Sequence, residues 1–345
     1  MTAIVTTPAL GYYLWPIRWV GAAPAWVPAF HGPSAEAKLD DVIVEVTLPD
    51  GLRSRAYRDG MLAYDFSAEH NPEALFADNI ATYARRLQII NAHLACLKAS
   101  LTHHVQIAPA TSENAVGFSW EQDDGYALTG GVAGTGGETG IMMISLARAR
   151  VEQPLGPLDW RFIRMGAVVS EDQVARSYGL LRRLLEIGGD HRGDVLLQAE
   201  LLLRADGALS VQDNAGALVY AWTAAEALLQ DMFSRWAEDR ASEQDAGHDE
   251  QGNERVFLDA RRRKELEGRD MTAWHMAEIG SLAGWLPYEL YRTLRDCTSA
   301  RNRWLHKRDL DALRHAPKAI LAAQELFRLA EGIDLRPHHL GSNDG

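Results

Sequence analysis

The stretch Tyr291-Arg-Thr-Leu-Arg-Asp-Cys-Thr-Ser-Ala-Arg-Asn-Arg-Trp-Leu-His306 is predicted to lie in the penultimate helix of the chain. Residues four positions apart share one face of a helix, so Asn302 and His306 point in the same direction. Arg301 lies about 140° from His306 around the helix axis, but its long side chain can reach the same groove. Arg295, two turns before Asn302, shares its face. The helix thus groups arginine, asparagine and histidine.

These residue types suit the cleavage of RNA. The reaction needs a base to activate the 2′-hydroxyl, a cation to stabilise the charged phosphorane, and an acid for the leaving 5′-oxygen. Histidine titrates near neutral pH and serves as base or acid, so His306 is the candidate for proton transfer. Arg301 would make forked contacts to phosphate, and Asn302 would orient His306 or hold the phosphate. This chemistry needs no metal, and we expect no cofactor.

The specificity of the pattern comes from its second residue and its position. An arginine followed five positions later by a histidine is expected by chance in a chain with 12 histidines. The asparagine directly after Arg301 makes a chance match rarer, and the place in the penultimate helix makes it rarer still.

The segment Arg301-Asn-Arg-Trp-Leu-His306 resembles the R-N-x-x-x-H signature of HEPN domains, where a helix ends with that motif before a last helix. The earlier segment Ala221-Trp-Thr-Ala-Ala-Glu-Ala-Leu-Leu229 resembles the helix that packs against it, with Glu226 as a polar residue among apolar ones. The resemblance covers the helical half of the chain and none of residues 1–165.

The resemblance implies a helical bundle that dimerises so that two motifs face each other, with metal-independent ribonuclease activity in many members. Such domains recur in toxin–antitoxin, abortive-infection and anti-phage systems. Glu226 would support Arg301 or His306, or else be an ordinary carboxylate on a helix surface. One subgroup has a tyrosine two positions after the histidine as the target of a partner nucleotidyltransferase. This chain has Arg308 there, so that form of regulation is not expected.

The overall charge limits where RNA can bind. The chain has a net charge of -12 and a pI of about 5.5, which excludes a protein coated in nucleic-acid-binding charge. Phosphate contacts act within roughly 10 Å, so a local basic groove remains compatible with this balance. The residues that would form such a groove, or else an ordinary solvated helix face, are Arg292, Arg295, Arg303, Lys307 and Arg308.

The first third of the chain is predicted to form mainly β-strands. Residues 42–48 are rich in β-branched side chains and lead into the turn Pro49-Asp-Gly51. A returning strand over 52–58, a second turn at Asp59-Gly60 and a strand over 61–66 complete an antiparallel meander. A helix from about residue 75 follows, and its predicted buried stripe is Ile80, Leu87, Ile90, Leu94 and Leu97.

The chain from about residue 170 onward is predicted to form mainly helices. Ser170-Glu-Asp-Gln173 predicts a helix cap, and Ala205-Asp-Gly207 predicts a break. The predicted helices are 174–187, 194–203, 209–239, 255–267, 271–283, 287–307 and 309–331, with a loop over 240–254. We therefore expect an α+β chain: a β-rich domain with one long helix over residues 1–168, an all-α HEPN-like bundle over 169–335, and a flexible tail over 336–345.

Other patterns favour ordinary structural roles. Gly130–Gly140 lacks the residues of a phosphate-binding or dinucleotide-binding loop, so we interpret it as a loop or hairpin connection. The remaining patterns are interpreted as a turn (Asp123-Asp124), packing aromatics (Trp15, Trp19, Trp26), surface histidines (His103-His104, His338-His339) and a solvated helix face (Arg261–Lys264). Two isolated cysteines and the lack of a leader or long apolar run predict a cytoplasmic protein with no membrane partner.

Two hypotheses follow from these residues. The first is an endoribonuclease that acts on RNA as a homodimer through its helical domain, while the N-terminal domain senses a protein or ligand trigger. The second is a non-catalytic dimerisation or RNA-binding module, in which Arg301 pairs with Glu226 and His306 is buried. A third, an enzyme centred on Gly130–Gly140, lacks a nucleophile or ligand constellation. The exposure of His306 separates the first two.

Overall fold

The computed structural model describes residues 9–14, 18–21, 41–69, 76–102, 106–119, 127–131, 168–189, 194–243, 258–266, 268 and 271–336. Within these ranges the chain is α+β, with a sheet near the N-terminus and helices after it, as predicted. It forms two compact units, one of Met1–Asp190 with Arg336–Gly345 and one of His191–Leu335. The division falls one helix later than the predicted boundary after residue 168.

The first unit contains a six-stranded antiparallel sheet. The strands of the described part are β1 (Ala9–Tyr13), β2 (Trp19–Val20), β3 (Val42–Thr47), β4 (Arg53–Tyr57), β5 (Met61–Asp65), β6 (Ala115–Ser119), β7 (Ala127–Gly131) and β8 (Val168–Val169). The large sheet has the order β3-β4-β5-β1-β6-β7, while β2 and β8 form a separate parallel pair. The predicted meander is therefore confirmed as β3, β4 and β5.

The turns of the meander depend on left-handed backbone conformations. Asp50 and Gly51 have φ values of 59° and 74° between β3 and β4. Gly60 has φ 88° between β4 and β5, and a Cβ there would lie 2.1 Å from the carbonyl oxygen of Arg18. Only glycine fits that second turn, because both the φ value and the close approach exclude a side chain.

In the described part of the first unit this sheet is accompanied by the α-helices α1 (Phe76–Ser100) and α2 (Glu171–Gly189). The predicted cap of α2 is confirmed: the Ser170 hydroxyl accepts a hydrogen bond from the amide of Gln173, whose side chain accepts one from the amide of Ser170. In α1 the predicted stripe is correct at Ile90, Leu94 and Leu97, which are fully buried. It is wrong at Ile80, which is 56% exposed, and Leu87 is only half-buried, because residues 80–85 of α1 lie at or near the surface.

A buried polar network joins α1, α2 and the sheet. The two ring nitrogens of His93 contact the Tyr64 hydroxyl at 2.6 Å and the Ser177 hydroxyl at 2.9 Å. Next to it the hydroxyls of Ser54 and Tyr178 lie 2.9 Å apart. These hydrogen bonds connect α2 to α1 and to the sheet. They explain why α2 belongs to the first unit, although a helix at this point of the sequence was expected to belong to the helical second unit.

The described residues of the second unit form helices and the turns between them. These are α3 (Val195–Ser210), α4 (Asn214–Ser242), α5 (Ala260–Leu266), α6 (Ala273–Ala283), α7 (Tyr288–Lys307) and α8 (Ala316–Glu331), with a 3₁₀ turn at Leu310–His315. Helix α4 is central, since α3, α6, α7 and α8 all pack against it. The sequence predicts an apolar face on this helix, and its residues Leu218, Trp222, Ala225, Leu229 and Phe233 are buried, while Trp236 is half-buried.

The predicted break at Ala205-Asp-Gly207 is wrong. Helix α3 continues through these residues to Ser210, and Ala205 is fully buried. The chain turns later, where Gln212 has φ 64° and the Asp213 side chain accepts a hydrogen bond from the amide of Gly216. Packing of α3 on α4 outweighs the weak helix propensity of one glycine near the end of the helix.

Several predictions concern residues outside the described ranges. They include Trp15, Trp26, Asp123-Asp124, both histidine pairs, the part of the glycine-rich segment over 132–140, most of the predicted loop over 240–254 and the tail from residue 337. Trp19 is described, and it is buried in β2. None of the described helices combines the length and the apolar character that a bilayer span would need.

Candidate functional site

Helix α7 presents one apolar side to the bundle and one polar side to solvent. Its buried residues recur at three and four positions: Leu290, Leu294, Cys297 and Ala300. The helix ends at Arg308, which has φ 52° and whose amide donates to the carbonyl of Trp304 at 2.9 Å. The predicted catalytic motif therefore occupies the last turns of α7, where the helix reaches the surface.

The structure brings Arg301 and Asn302 into contact. Arg301 is half-buried, and its guanidinium donates a hydrogen bond to the Asn302 side-chain oxygen at 3.1 Å. Asn302 and His306 are both exposed and lie one turn apart on the outward side of α7. Within the described residues the exposed His306 ring makes no hydrogen bond. The structure thus brings Arg301 and Asn302 together and places His306 one turn beyond Asn302 on the exposed side of the helix.

Glu226 does not join this group. It is half-buried on α4, and among the described residues it forms neither a hydrogen bond nor an ion pair with Arg301 or His306. A purely structural motif would bury His306 and pair Arg301 with Glu226. Neither feature is present in the described part of the chain.

The predicted RNA-binding cations have different environments. Arg295 lies over the Trp274 ring at 5.7 Å, and Arg303 is 3.6 Å from Asp309. Lys307 and Arg308 are exposed and form no ion pair with the residues that the structure describes. Arg295 shares the outward face with Asn302 and His306, while the others surround the end of the helix.

The charge of α7 opposes that of the whole chain. From Tyr288 to Arg308 there are six cationic side chains and two carboxylates, a net charge of +4 in a chain of net charge -12. The two carboxylates, Glu289 and Asp296, lie beside the outward face and are paired with Arg292 and Lys318. Lys318 holds the pKa of Asp296 below its ordinary value through a hydrogen bond. Helix α7 thus carries more cations than carboxylates, although Arg292 and Arg303 are ion-paired with Glu289 and Asp309.

A set of aromatic residues at the other end of α7 was not anticipated from the sequence. Trp274 on α6 packs against Tyr291 with ring centroids 5.4 Å apart, and Tyr291 stacks on Tyr288 at 5.9 Å. The Tyr291 hydroxyl donates to Glu278 at 2.5 Å, and this hydrogen bond raises the pKa of Tyr291. The spacing of Tyr288 and Tyr291 is visible in the sequence. The contact with Trp274 depends on how two helices pack and has no sequence signal.

Comparisons of the chain with profiles of protein families, with curated proteins and with solved structures find no significant match.

Proposed function

We propose that the helical unit is a metal-independent endoribonuclease of the HEPN type, which acts as a homodimer. The observation that carries the proposal is the open site at the end of α7, where the guanidinium of Arg301 contacts Asn302 and His306 follows one turn later. A site for a polymeric substrate has to be accessible, and this one lies on the part of the surface with a positive net charge.

The chemistry follows from these groups. An unprotonated His306 takes the proton of the 2′-hydroxyl, and the 2′-oxygen attacks the adjacent phosphorus. Arg301 stabilises the charge that develops on the phosphorane oxygens, and Asn302 holds the arginine in place. The bond to the 5′-oxygen then breaks, and this oxygen receives a proton from the partner subunit's His306. The products are a 2′,3′-cyclic phosphate and a 5′-hydroxyl.

Apolar residues next to the motif support dimerisation there. Leu305 and Leu310 are exposed on either side of His306, Lys307 and Arg308. Exposed leucines cost hydrophobic free energy in a monomer, and a second copy packed against them would remove that cost. It would also bring two copies of the motif to one cleft.

A ribonuclease with this site needs control. Permanent activity would damage the RNA of its own cell, so we assign the first unit a regulatory role, in which it responds to a protein or ligand trigger. A toxin or anti-phage context fits this arrangement. The alternative is a dimerisation or RNA-binding module without catalysis, which the same basic patch would support.

The proposal is tested by RNA cleavage in the presence of EDTA. The wild-type protein should degrade total RNA, and His306→Ala should lose at least about a hundredfold in rate because the proton-transfer group is removed. His275→Ala is the matched control, since His275 is an exposed histidine on α6. Equal cleavage by the wild type and His306→Ala would refute the assignment of the site.

A further inference from the structure

The aromatic residues at the start of α7 form an ordered column, which we call the aromatic ladder and define as Trp274, Tyr291 and Tyr288. Trp274 is half-buried and Tyr291 is buried, while Tyr288 at the end is 63% exposed. The hydrogen bond from Tyr291 to Glu278 fixes the middle ring. The exposed Tyr288 ring therefore rests on Tyr291, which itself packs on Trp274, so Tyr288 loses little conformational entropy when a ligand stacks on it.

Two arginines accompany the ladder. Arg292 lies over the Tyr288 ring at 6.0 Å, and Arg295 lies over Trp274 at 5.7 Å. Both arginines are exposed and project from the same outward side of α7 as Asn302 and His306. Exposed aromatic rings with interleaved arginines are the combination that binds single-stranded nucleic acid, because bases stack on the rings and phosphates contact the guanidinium groups.

The ladder and the motif lie on one line along the helix. Eighteen residues separate Tyr288 from His306, which corresponds to about 27 Å along the helix axis. At a spacing of about 3.4 Å per stacked nucleotide, a strand would cover this distance with roughly eight nucleotides. A strand held at the ladder can therefore run along the outward face of α7 and reach the motif.

We propose that the aromatic ladder is a subsite for unpaired RNA, in which one base takes the place of Arg292 on the Tyr288 ring, and Arg292, released from Glu289, contacts the neighbouring phosphates together with Arg295. This inference rests on the proposed ribonuclease function and defines its substrate class as single-stranded segments or loops. Double-helical RNA is excluded from the subsite, since its bases are stacked on each other and are not free to stack on a side chain.

The test measures binding separately from cleavage. The chain of 345 residues carrying His306→Ala is titrated into a fluorescently labelled, single-stranded RNA of about twelve nucleotides, and binding is followed by anisotropy. Adding Tyr288→Ala should weaken binding roughly tenfold, as expected for the loss of one base stack. Tyr288→Phe should retain binding because it keeps the ring. Tyr220→Ala, which removes an exposed tyrosine from α4, should have no effect.

The outcomes separate this inference from the proposed function. Equal affinity of the Tyr288→Ala protein and its parent, tighter binding of a duplex of the same sequence, or no RNA binding at all would overturn the subsite. The proposed function would fail in a different way: single-stranded RNA would bind, and its binding would depend on Tyr288, but the wild-type protein would not cleave it.

Discussion

Two histidines of this chain show how the surroundings decide what one side chain can do. Both ring nitrogens of His93 are hydrogen-bonded to hydroxyl groups in the interior of the first unit, and burial lowers the pKa of His93 to about 3. His93 is therefore neutral and structural at physiological pH. His306 is exposed at the end of α7 and free to exchange protons with a substrate. The sequence motif indicates a role for His306, whereas no sequence pattern indicates one for His93.

The lowered pKa of His93 predicts a pH dependence of stability. The unfolded chain binds a proton at His93 below a pH of about 6.5, whereas the folded chain does so only near pH 3. The unfolded state therefore binds more protons between these values, and the free energy of unfolding falls as the pH falls through this window, by up to about 1.4 kcal/mol per pH unit. Urea unfolding at pH 7.5 and pH 5 measures this loss.

The matched variant is His93→Gln, whose amide can hydrogen-bond but does not titrate. It should be less stable than the wild type at pH 7.5, because the network is disturbed, and should lose less stability between the two pH values. The same pH-dependent loss in both proteins would show that His93 is not responsible.

At the scale of elements, most of the helices and strands could be predicted, because hydrophobic spacing and turn residues are local signals. The meander with its turns at Pro49–Gly51 and Gly60, and the capping box at Ser170, follow from short segments. The wrong break at residues 205–207 has a tertiary cause, the packing of α3 on α4. The aromatic ladder was missed because Trp274 and Tyr291 belong to different helices.

The surroundings of two helical glycines predict opposite effects of their replacement by alanine. A Cβ at Gly280 would lie 2.5 Å from the Trp285 ring, so Gly280→Ala should destabilise the protein by about 1–3 kcal/mol through overpacking. A Cβ at Gly179 on α2 would meet nothing within 4 Å. Gly179→Ala should stabilise the protein by about 1 kcal/mol, because alanine favours the helix. Thermal unfolding of both variants provides the measurement, and a stabilised Gly280→Ala protein would contradict the described packing.

At the scale of the whole molecule, the division into two units could be anticipated but not its position. In the sequence, strand patterns give way to helix patterns near residue 170. The structural boundary lies after α2, because α2 contacts α1 and the sheet and so belongs to the first unit. These contacts depend on Ser177 and Tyr178, which are ordinary helix residues in the sequence. For the site, the sequence placed Asn302 and His306 on one face but could not predict the contact between Arg301 and Asn302.

Dimerisation and cleavage should be lost together if the site is composite. Leu305 is 46% exposed beside the motif, and Leu305→Asp should shift the protein from dimer to monomer and abolish cleavage, because a charge would be buried in the interface. Leu321→Asp is the control, since Leu321 is 47% exposed on α8. Sedimentation and RNA cleavage are measured on the same preparations. A monomeric Leu305→Asp protein with full activity would show that one copy of the motif suffices.

The central claim, RNA cleavage by the motif at the end of α7, is tested most directly by the chemistry of the product ends. The wild-type protein is incubated in EDTA with a labelled single-stranded RNA, and with the same RNA carrying a 2′-deoxy substitution at the cleaved position. We predict 2′,3′-cyclic phosphate and 5′-hydroxyl ends from the first RNA, no cleavage of the second at that position, and no cleavage of either by His306→Ala. Products with 5′-phosphate ends, or cleavage at the deoxy position, would contradict a mechanism in which His306 activates the 2′-hydroxyl.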